Sequence, residues 1–162
     1  MIVFGIDPGF SGAIAELHIF SRTLYVHDMP TMPSQKGKVE LNCHGVLDLL
    51  DAGEAPAIVW MEKVGARPGQ GVSSMFRFGQ QLGALEMAVA AREHQLRWIT
   101  PAKWKAHFGL SADKGAARKV AMERFPERAD QFARVKDDGR AEAALIALYG
   151  WEQVKGLRGG KT

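Results

Sequence analysis

The sequence contains a single cysteine, Cys43, and no long apolar segment. One cysteine excludes an internal disulfide and a CxxC metal site, and it fits a reducing compartment. No apolar run approaches the ~20 residues that a membrane-spanning helix needs. Residues 1–7 carry no basic leader and pass directly into a strand pattern, so no signal peptide is expected. These absences predict a cytoplasmic protein that does not interact with a membrane.

Two common site motifs are also missing. The five histidines show neither HxxxH nor HExxH spacing, so a zinc site is not expected. The glycine-rich segment GARPGQG at residues 65–71 lacks the GK[ST] of a nucleotide-phosphate loop. We therefore expect no organic cofactor.

The chain has 162 residues, of which 46% are hydrophobic and 24% charged, the balance of one globular domain. We expect that domain to span residues 1–154. Residues 155–162 carry three basic residues and no acid, which predicts a disordered basic tail.

Two apolar runs predict buried strands that each end in an acid. Residues 2–6 end at Asp7, and residues 57–61 end at Glu62. Residues 13–20 and 23–29, separated by Ser21-Arg22, predict an antiparallel hairpin beside the first strand.

The remaining periodicity predicts helices and one further strand. The last helix should begin near Asp137-Asp138, with Glu142 one turn inside. A helix capped by Ser73 or Ser74 should extend to about residue 92. The other predicted elements are a loop at 30–38, helices at 41–50, from 101 and at about 114–125, and a strand at 96–99. This order predicts an α/β domain with a mixed sheet.

Each acid has an ordinary structural explanation. Asp7 before Pro-Gly could be a turn residue. Asp138 could cap the last helix, and Asp137 could interact with the helix dipole. Glu62 is harder to explain in this way, because a glutamate that ends an apolar strand is partly buried and an unpaired buried charge is unfavourable.

Taken together, the acids predict a metal site. Adjacent parallel strands would place Asp7 and Glu62 side by side at the carboxyl edge of the sheet. Asp138 and Glu142 stand four residues apart, which puts both on one helical face. Clustered carboxylates repel one another unless they are protonated, paired with bases or neutralised by cations, and their oxygens suit Mg²⁺ or Mn²⁺. The pattern fits a two-ion centre for phosphodiester hydrolysis.

The basic residues are concentrated in three segments. Residues 97–140 carry eleven Lys and Arg against six Asp and Glu, and residues 63–85 carry three basic residues without an acid. The tail is the third. A solvated face explains any one cluster, but the aromatic residues interleaved among the bases favour a nucleic-acid surface.

Three segments resemble the acidic motifs of RuvC-type Holliday junction resolvases. They are GIDPGFSGAIA at 5–15, VWMEKV at 59–64 and KDDGRAEAALIALYG at 136–150. The glycine-rich loop at 65–74 and the stretch at 100–126 are most similar to the branch of phage and plant chloroplast resolvases. The resemblance spans nearly the whole chain. It implies a ribonuclease H-like α/β fold, with a mixed five-stranded sheet flanked by helices, in a bacterial or phage-encoded protein.

The resemblance also implies a set of functional residues. Asp7, Glu62, Asp138 and Glu142 would bind two Mg²⁺ or Mn²⁺ ions, with Lys114 near the scissile phosphate. A homodimer would cut four-way DNA junctions and leave 5′-phosphate and 3′-hydroxyl ends. The predicted DNA contacts are Lys63, Arg67, Arg77, Lys103, Lys105, Lys114, Arg118, Lys136 and Arg140, of which Arg140 could equally be a salt-bridge partner.

The sequence departs from the family pattern at two places. The family often has Asp or His at the position of Asp138 and Asp at that of Glu142, and Asp137 leaves a one-residue ambiguity. Bacterial RuvC enzymes have an aromatic residue soon after the second acid that helps to open the junction, whereas here none precedes Phe76.

Three alternative functions remain open at this stage. They are a related nuclease acting on other branched DNA or on an RNA–DNA hybrid, an actin-like nucleotide-binding protein, and a catalytically inactive junction-binding module. For the homodimer, the helix at residues 73–92 has more apolar positions than one core-facing stripe needs. It is therefore either an interface or a buried internal helix.

Overall fold

Among the described residues, seven strands form one large sheet and one small hairpin. The strands are β1 (Ile2–Asp7), β2 (Ala13–His18), β3 (Thr23–Asp28), β4 (Thr31–Pro33), β5 (Val39–Leu41), β6 (Ile58–Glu62) and β7 (Gln95–Ile99). The five-stranded sheet has the order β3-β2-β1-β6-β7, and β4 pairs with β5. The computed structural model describes residues 1–159 except 36, 52, 54, 66–68, 112 and 114.

Five α-helices and two 3₁₀ segments accompany the sheet in the part of the chain that the structure describes. The helices are α1 (Cys43–Leu49), α2 (Val72–Ala91), α3 (Pro101–His107), α4 (Ala116–Arg124) and α5 (Asp138–Gly159). The 3₁₀ segments, Pro126–Phe132 and Val135–Asp137, lie between α4 and α5. Within the described residues, no helix is both long and apolar enough to cross a membrane.

The sheet is mixed, as the sequence predicted. Strand β1 pairs antiparallel with β2 and parallel with β6, and β6 pairs parallel with β7. Because β1 is central, both of its faces are covered, which explains why its sequence is a continuous apolar run. The carboxyl ends of β1, β6 and β7 therefore lie along one edge of the sheet.

Alternating side chains of the sheet supply two hydrophobic cores. Val3 and Trp60 belong to the core that contains the apolar residues of α5, whereas Phe4 and Met61 belong to the core that contains those of α1 and α2. Helix α5 packs very closely on β1, since a Cβ added to Gly5 would lie 2.2 Å from the carbonyl oxygen of Ala143. Glycine at position 5 is what permits this approach.

The structure confirms the α/β class and the five-stranded mixed sheet, and it corrects several details of the prediction. Strand β4 falls within the predicted loop, and β5 overlaps the first residue of the predicted helix. Helix α1 therefore begins at Cys43 and is capped by Asn42, whose Oδ1 accepts from the Gly45 amide at 3.1 Å. Neither Ser73 nor Ser74 caps α2; its N-cap is Gly71. Helix α5 continues to Gly159, five residues into the segment predicted as a tail.

Candidate active site

The register of two parallel strands brings the first two acids together. Ile6 of β1 is aligned with Met61 of β6, so Asp7 and Glu62 are the next residues along each strand. Side chains alternate along a strand, and Trp60 lies in the core on the α5 side. Asp7 and Glu62 therefore share the face of the sheet that α5 covers.

Helix α5 supplies the third acid. Carboxylate oxygens of Asp7, Glu62 and Glu142 all lie within 4.8 Å of one another. The start of α5 is pressed against the β1–β2 turn, because a Cβ added to Gly139 would lie 2.5 Å from the carbonyl oxygen of Ser11 and 3.2 Å from Asp7 Oδ2. We refer to Asp7, Glu62 and Glu142 as the acid cluster.

The acid cluster changes the protonation of Asp7. Burial, reinforced by the negative charges of Glu142 and Glu62, raises the pKa of Asp7 from 3.8 to about 7. The Gly9 amide and Lys105 oppose this rise only in part. The charged form of the Asp7 carboxyl is therefore disfavoured near neutral pH.

Helix α3 supplies two contacts that the sequence analysis did not predict. Trp104, whose side chain is fully buried, donates from Nε1 to Oε1 of Glu62 at 2.8 Å. Lys105, expected to contact DNA, lies with Nζ 3.0 Å from Oε1 of Glu142 and 5.1 Å from the centre of the Trp104 ring. The only sequence signal for these contacts is that α3 directly follows β7, the strand that pairs with β6.

Asp138 does not join the acid cluster in this structure. Its side chain is 49% exposed, and its Oδ1 accepts from Arg118 Nε at 2.7 Å. Asp137 is buried and points elsewhere: its carboxylate accepts from the Arg134 amide at 2.9 Å and from the Arg134 guanidinium at 2.9–3.1 Å. The Arg134 guanidinium lowers the pKa of Asp137. Asp137 is the third residue of the 3₁₀ turn, and its carboxylate completes a capping box with the N-cap residue Arg134.

The predicted DNA contacts fall into three groups. Lys63, Lys103 and Lys136 are exposed, and none of them has an ion pair within the part of the chain that the structure describes. Arg118 pairs with Asp138, and Arg140 pairs with Asp28 through two hydrogen bonds of 2.6 and 2.8 Å.

Arg77 forms the third group by itself. It donates to the carbonyl oxygen of Val39, and its guanidinium carbon lies 5.2 Å from the centre of the Phe10 ring. Arg67 and Lys114 lie outside the described residues.

Two solved structures are similar to this chain over nearly its whole length. The first is the Thermus thermophilus RuvC structure, with a TM-score of 0.61, 18% identity and coverage of 94% of this chain and 97% of the other. The second is T. thermophilus RuvC in complex with a Holliday junction substrate, with a TM-score of 0.62, 16% identity and coverage of 94% and 96%. No protein-family model and no curated protein matches the sequence. At this level of identity the likeness establishes the fold.

Proposed function

We propose that this protein is a RuvC-type resolvase, of the branch that contains phage and chloroplast enzymes, which cuts four-way DNA junctions. The observation that carries the proposal is the acid cluster, in which oxygens of Asp7, Glu62 and Glu142 lie within 4.8 Å at the carboxyl edge of the sheet. Its place on a fold shared with a protein solved on a Holliday junction supports a DNA substrate. Fold alone does not specify function, so the chemistry of the site carries the argument.

The acid cluster fits a divalent cation. Its donors are carboxylate oxygens, which suit Mg²⁺ or Mn²⁺, and its mutual repulsion is the kind that a cation removes. When bound, two such ions would activate a water molecule and stabilise the departing oxygen of a phosphodiester, giving a 5′-phosphate and a 3′-hydroxyl. Asp138 is the proposed fourth ligand, and its carboxylate accepts a hydrogen bond from Arg118.

The protein's own groups prepare this site. Asp7 has to lose its proton before it can act as a ligand, and its raised pKa makes the metal-free site sensitive to pH near neutrality. Trp104 and Lys105 hold Glu62 and Glu142 against the sheet edge. We propose that Lys114, which lies outside the described residues, acts near the scissile phosphate.

Exposed lysines would bind the DNA arms. Lys63 directly follows the second acid, Lys103 lies one residue before Trp104, and Lys136 lies just before α5. Lys63 is thus adjacent to an acid of the cluster, Lys103 is adjacent to the residue that hydrogen-bonds to Glu62, and Lys136 precedes the helix that carries Glu142. Arg118 and Arg140 contribute less to this surface, because each is already paired with an aspartate.

A homodimer would match the two-fold symmetry of a four-way junction. Helix α2 offers an exposed apolar stripe made of Val72, Phe76 and Met87, which are 85%, 66% and 68% exposed. Between them, Gly79 and Gly83 leave open space on the same side of the helix, where another helix could approach closely. We propose that this stripe is the dimer interface.

The decisive experiment compares substrates at equal concentration in Mg²⁺. Synthetic four-way junctions, three-way junctions, flaps, linear duplexes and RNA–DNA hybrids are incubated with the wild-type protein. Paired cuts in the four-way junction, with ends that ligase reseals, support the proposal. Preferential cutting of flaps or hybrids would assign a different nuclease activity to the same site, and tight junction binding without cutting would indicate a non-catalytic binding module.

A further inference from the structure

The acid cluster is held from one side by a short helix that has no acidic residue of its own. Helix α3 begins at Pro101, directly after β7, and Ile99 of β7 is aligned with Glu62 of β6. This connection leaves α3 beside the end of β6, with the buried Trp104 facing Glu62. The position of the Trp104 indole therefore follows from strand pairing and a short turn.

The contact between the two side chains is chemically specific. An indole N–H is a donor without acceptor capacity, and Glu62 is 7% exposed. The 2.8 Å Nε1–Oε1 hydrogen bond compensates part of the cost of burying that carboxylate. Unlike the ammonium of Lys105, the indole is neutral, so it orients an oxygen without competing electrostatically with a cation.

We infer that Trp104 is a positioning residue that fixes the orientation of Glu62 for a divalent cation at the acid cluster. The inference rests on the proposed function only in taking Glu62 as a metal ligand. Hydrogen-bonding partners of metal ligands commonly change metal affinity by about 10–100-fold when they are removed. Trp104 is in this view part of the metal site, although its ring lies in the hydrophobic core.

The chain provides a matched control in Trp60. This residue belongs to the same hydrophobic core and is 8% exposed, but its Nε1 has no hydrogen-bond partner among the described residues. Its ring instead packs edge-to-face against Tyr149. Replacing the N–H group at position 60 therefore shows the effect of the same chemical change where no hydrogen bond is lost.

The experiment replaces the indole N–H by sulfur, using site-specific incorporation of benzothienylalanine at position 104 or 60. Mn²⁺ binding to the free protein is measured by calorimetry, together with thermal unfolding, junction affinity and single-turnover cleavage. We expect the substitution at 104 to weaken Mn²⁺ binding by about tenfold or more and to slow cleavage, with junction affinity unchanged. The same substitution at 60 should leave all four quantities unchanged. Wild-type Mn²⁺ affinity in the position-104 protein would overturn the inference.

A second measurement applies to the unmodified protein and does not depend on folding of the variants. The indole N–H resonances of ¹⁵N-labelled protein are followed during titration with Mg²⁺. The Trp104 resonance should shift on binding, whereas that of Trp60 should not, and a Trp104 resonance that does not move while Mg²⁺ binds contradicts the inference. If the Trp104 signal shifts in a protein that cuts no DNA, the proposed nuclease function fails while the positioning role stands.

Discussion

Arg118 of α4 donates a 2.7 Å hydrogen bond to Asp138, the acid that stands one helical turn before Glu142 on α5. The i, i+4 spacing correctly indicates that the two acids share a helical face. It does not indicate that a neighbouring helix supplies a guanidinium to one of them. Asp138 is therefore separate from the acid cluster in this structure, although it belongs to the proposed ligand set.

Substitution of the two adjacent aspartates should have different effects. Asp138→Asn is expected to slow junction cleavage by about a hundredfold or more at unchanged stability, because it removes a proposed ligand that is half exposed. Asp137→Asn should keep the cleavage rate but destabilise the protein by about 1–2 kcal/mol, since it weakens a buried cap. Single-turnover cleavage and denaturant unfolding at pH 7 measure the two effects.

The low pKa of Asp137 adds a check on the same pair. The pKa of Asp137 is lower in the folded protein than its unfolded value of 3.8, so the charged carboxylate stabilises the fold when the pH is above 3.8. This stabilisation is lost as the pH falls through the folded-state pKa. The stability difference between Asp137→Asn and wild type should therefore shrink below about pH 4. A folded Asp137→Asn protein that cannot cut, beside an active Asp138→Asn protein, would move the ligand assignment by one residue.

Asp7→Asn should make the metal-free protein more stable at alkaline pH. The folded-state pKa of Asp7 is about 7 against 3.8 when unfolded, so the wild type loses stability as the pH rises through this window. A difference of about three pH units corresponds to at most about 4 kcal/mol. Thermal unfolding at pH 8 in a chelator should show a higher Tm for Asp7→Asn, with no difference at pH 4.

Exposed Asp48, which has no ion pair within the described ranges, gives the control Asp48→Asn for this experiment. It should not change the Tm at either pH. Adding Mg²⁺ at pH 8 should stabilise the wild type more than Asp7→Asn, because only the wild type has the complete acid cluster. Equal stability of Asp7→Asn and wild type at pH 8 would mean that burial and the neighbouring acids do not disfavour the charged form of Asp7.

A charge on the exposed stripe of α2 should produce a folded monomer. Phe76→Glu or Met87→Glu is expected to abolish self-association and paired cutting while leaving the Tm nearly unchanged, since both side chains are about two-thirds exposed. Phe20→Glu, at an 84% exposed position in the β2–β3 turn, is the control that should remain dimeric. Sedimentation velocity, with and without junction DNA, checks this, and a monomeric wild type in both conditions excludes the dimer.

Phe78 and Leu82 are less suitable for this test, although the sequence favours them equally. Leu82 is half-buried and packs against the core on the α1–α2 side, and Phe78 is also half-buried. A charge at Leu82 would therefore test whether the protein still folds and not whether it dimerises. Residues 76 and 87 differ from these neighbours in their exposure, and only the orientation of α2 about its own axis in the structure shows this difference.

Lysine substitutions should separate DNA binding from catalysis. Lys63→Ala and Lys103→Ala are each expected to weaken junction binding and to reduce the slope of log affinity against log salt by about 0.9. Lys105→Ala should mainly reduce the cleavage rate, because its ammonium contacts Glu142. Arg22→Ala, in the turn at the opposite end of the strands, is the control that should leave the slope unchanged. An unchanged slope in Lys63→Ala and Lys103→Ala would remove both residues from the DNA surface.

Much of the fold could be predicted because its central strands are unambiguous. The apolar runs before Asp7 and Glu62 correspond to β1 and β6, and parallel pairing in register was enough to predict that these acids meet. The hairpin β4–β5 was missed because its three-residue strands are almost entirely exposed, so they show no apolar alternation.

The contacts around the acids could not be predicted in the same way. Trp104 and Arg118 approach the acids from elements distant in sequence, through side-chain directions that only the packing of α3 and α4 determines. The residue types gave no signal either, because a helical Trp usually packs in the core and Arg is mostly exposed. Sequence spacing thus predicted that Asp7, Glu62 and Glu142 come together, but it did not predict the side chains that contact them.

The most direct test of the account is single-turnover cleavage of a synthetic four-way junction by Glu142→Gln. Glu123→Gln, at an exposed position on α4, serves as the matched control. The account predicts that Glu142→Gln binds the junction at least as tightly as wild type but cuts it at least about a thousandfold more slowly. Glu123→Gln should cut at the wild-type rate. Wild-type cleavage by Glu142→Gln in Mg²⁺ would contradict the claim that the acid cluster is the active site.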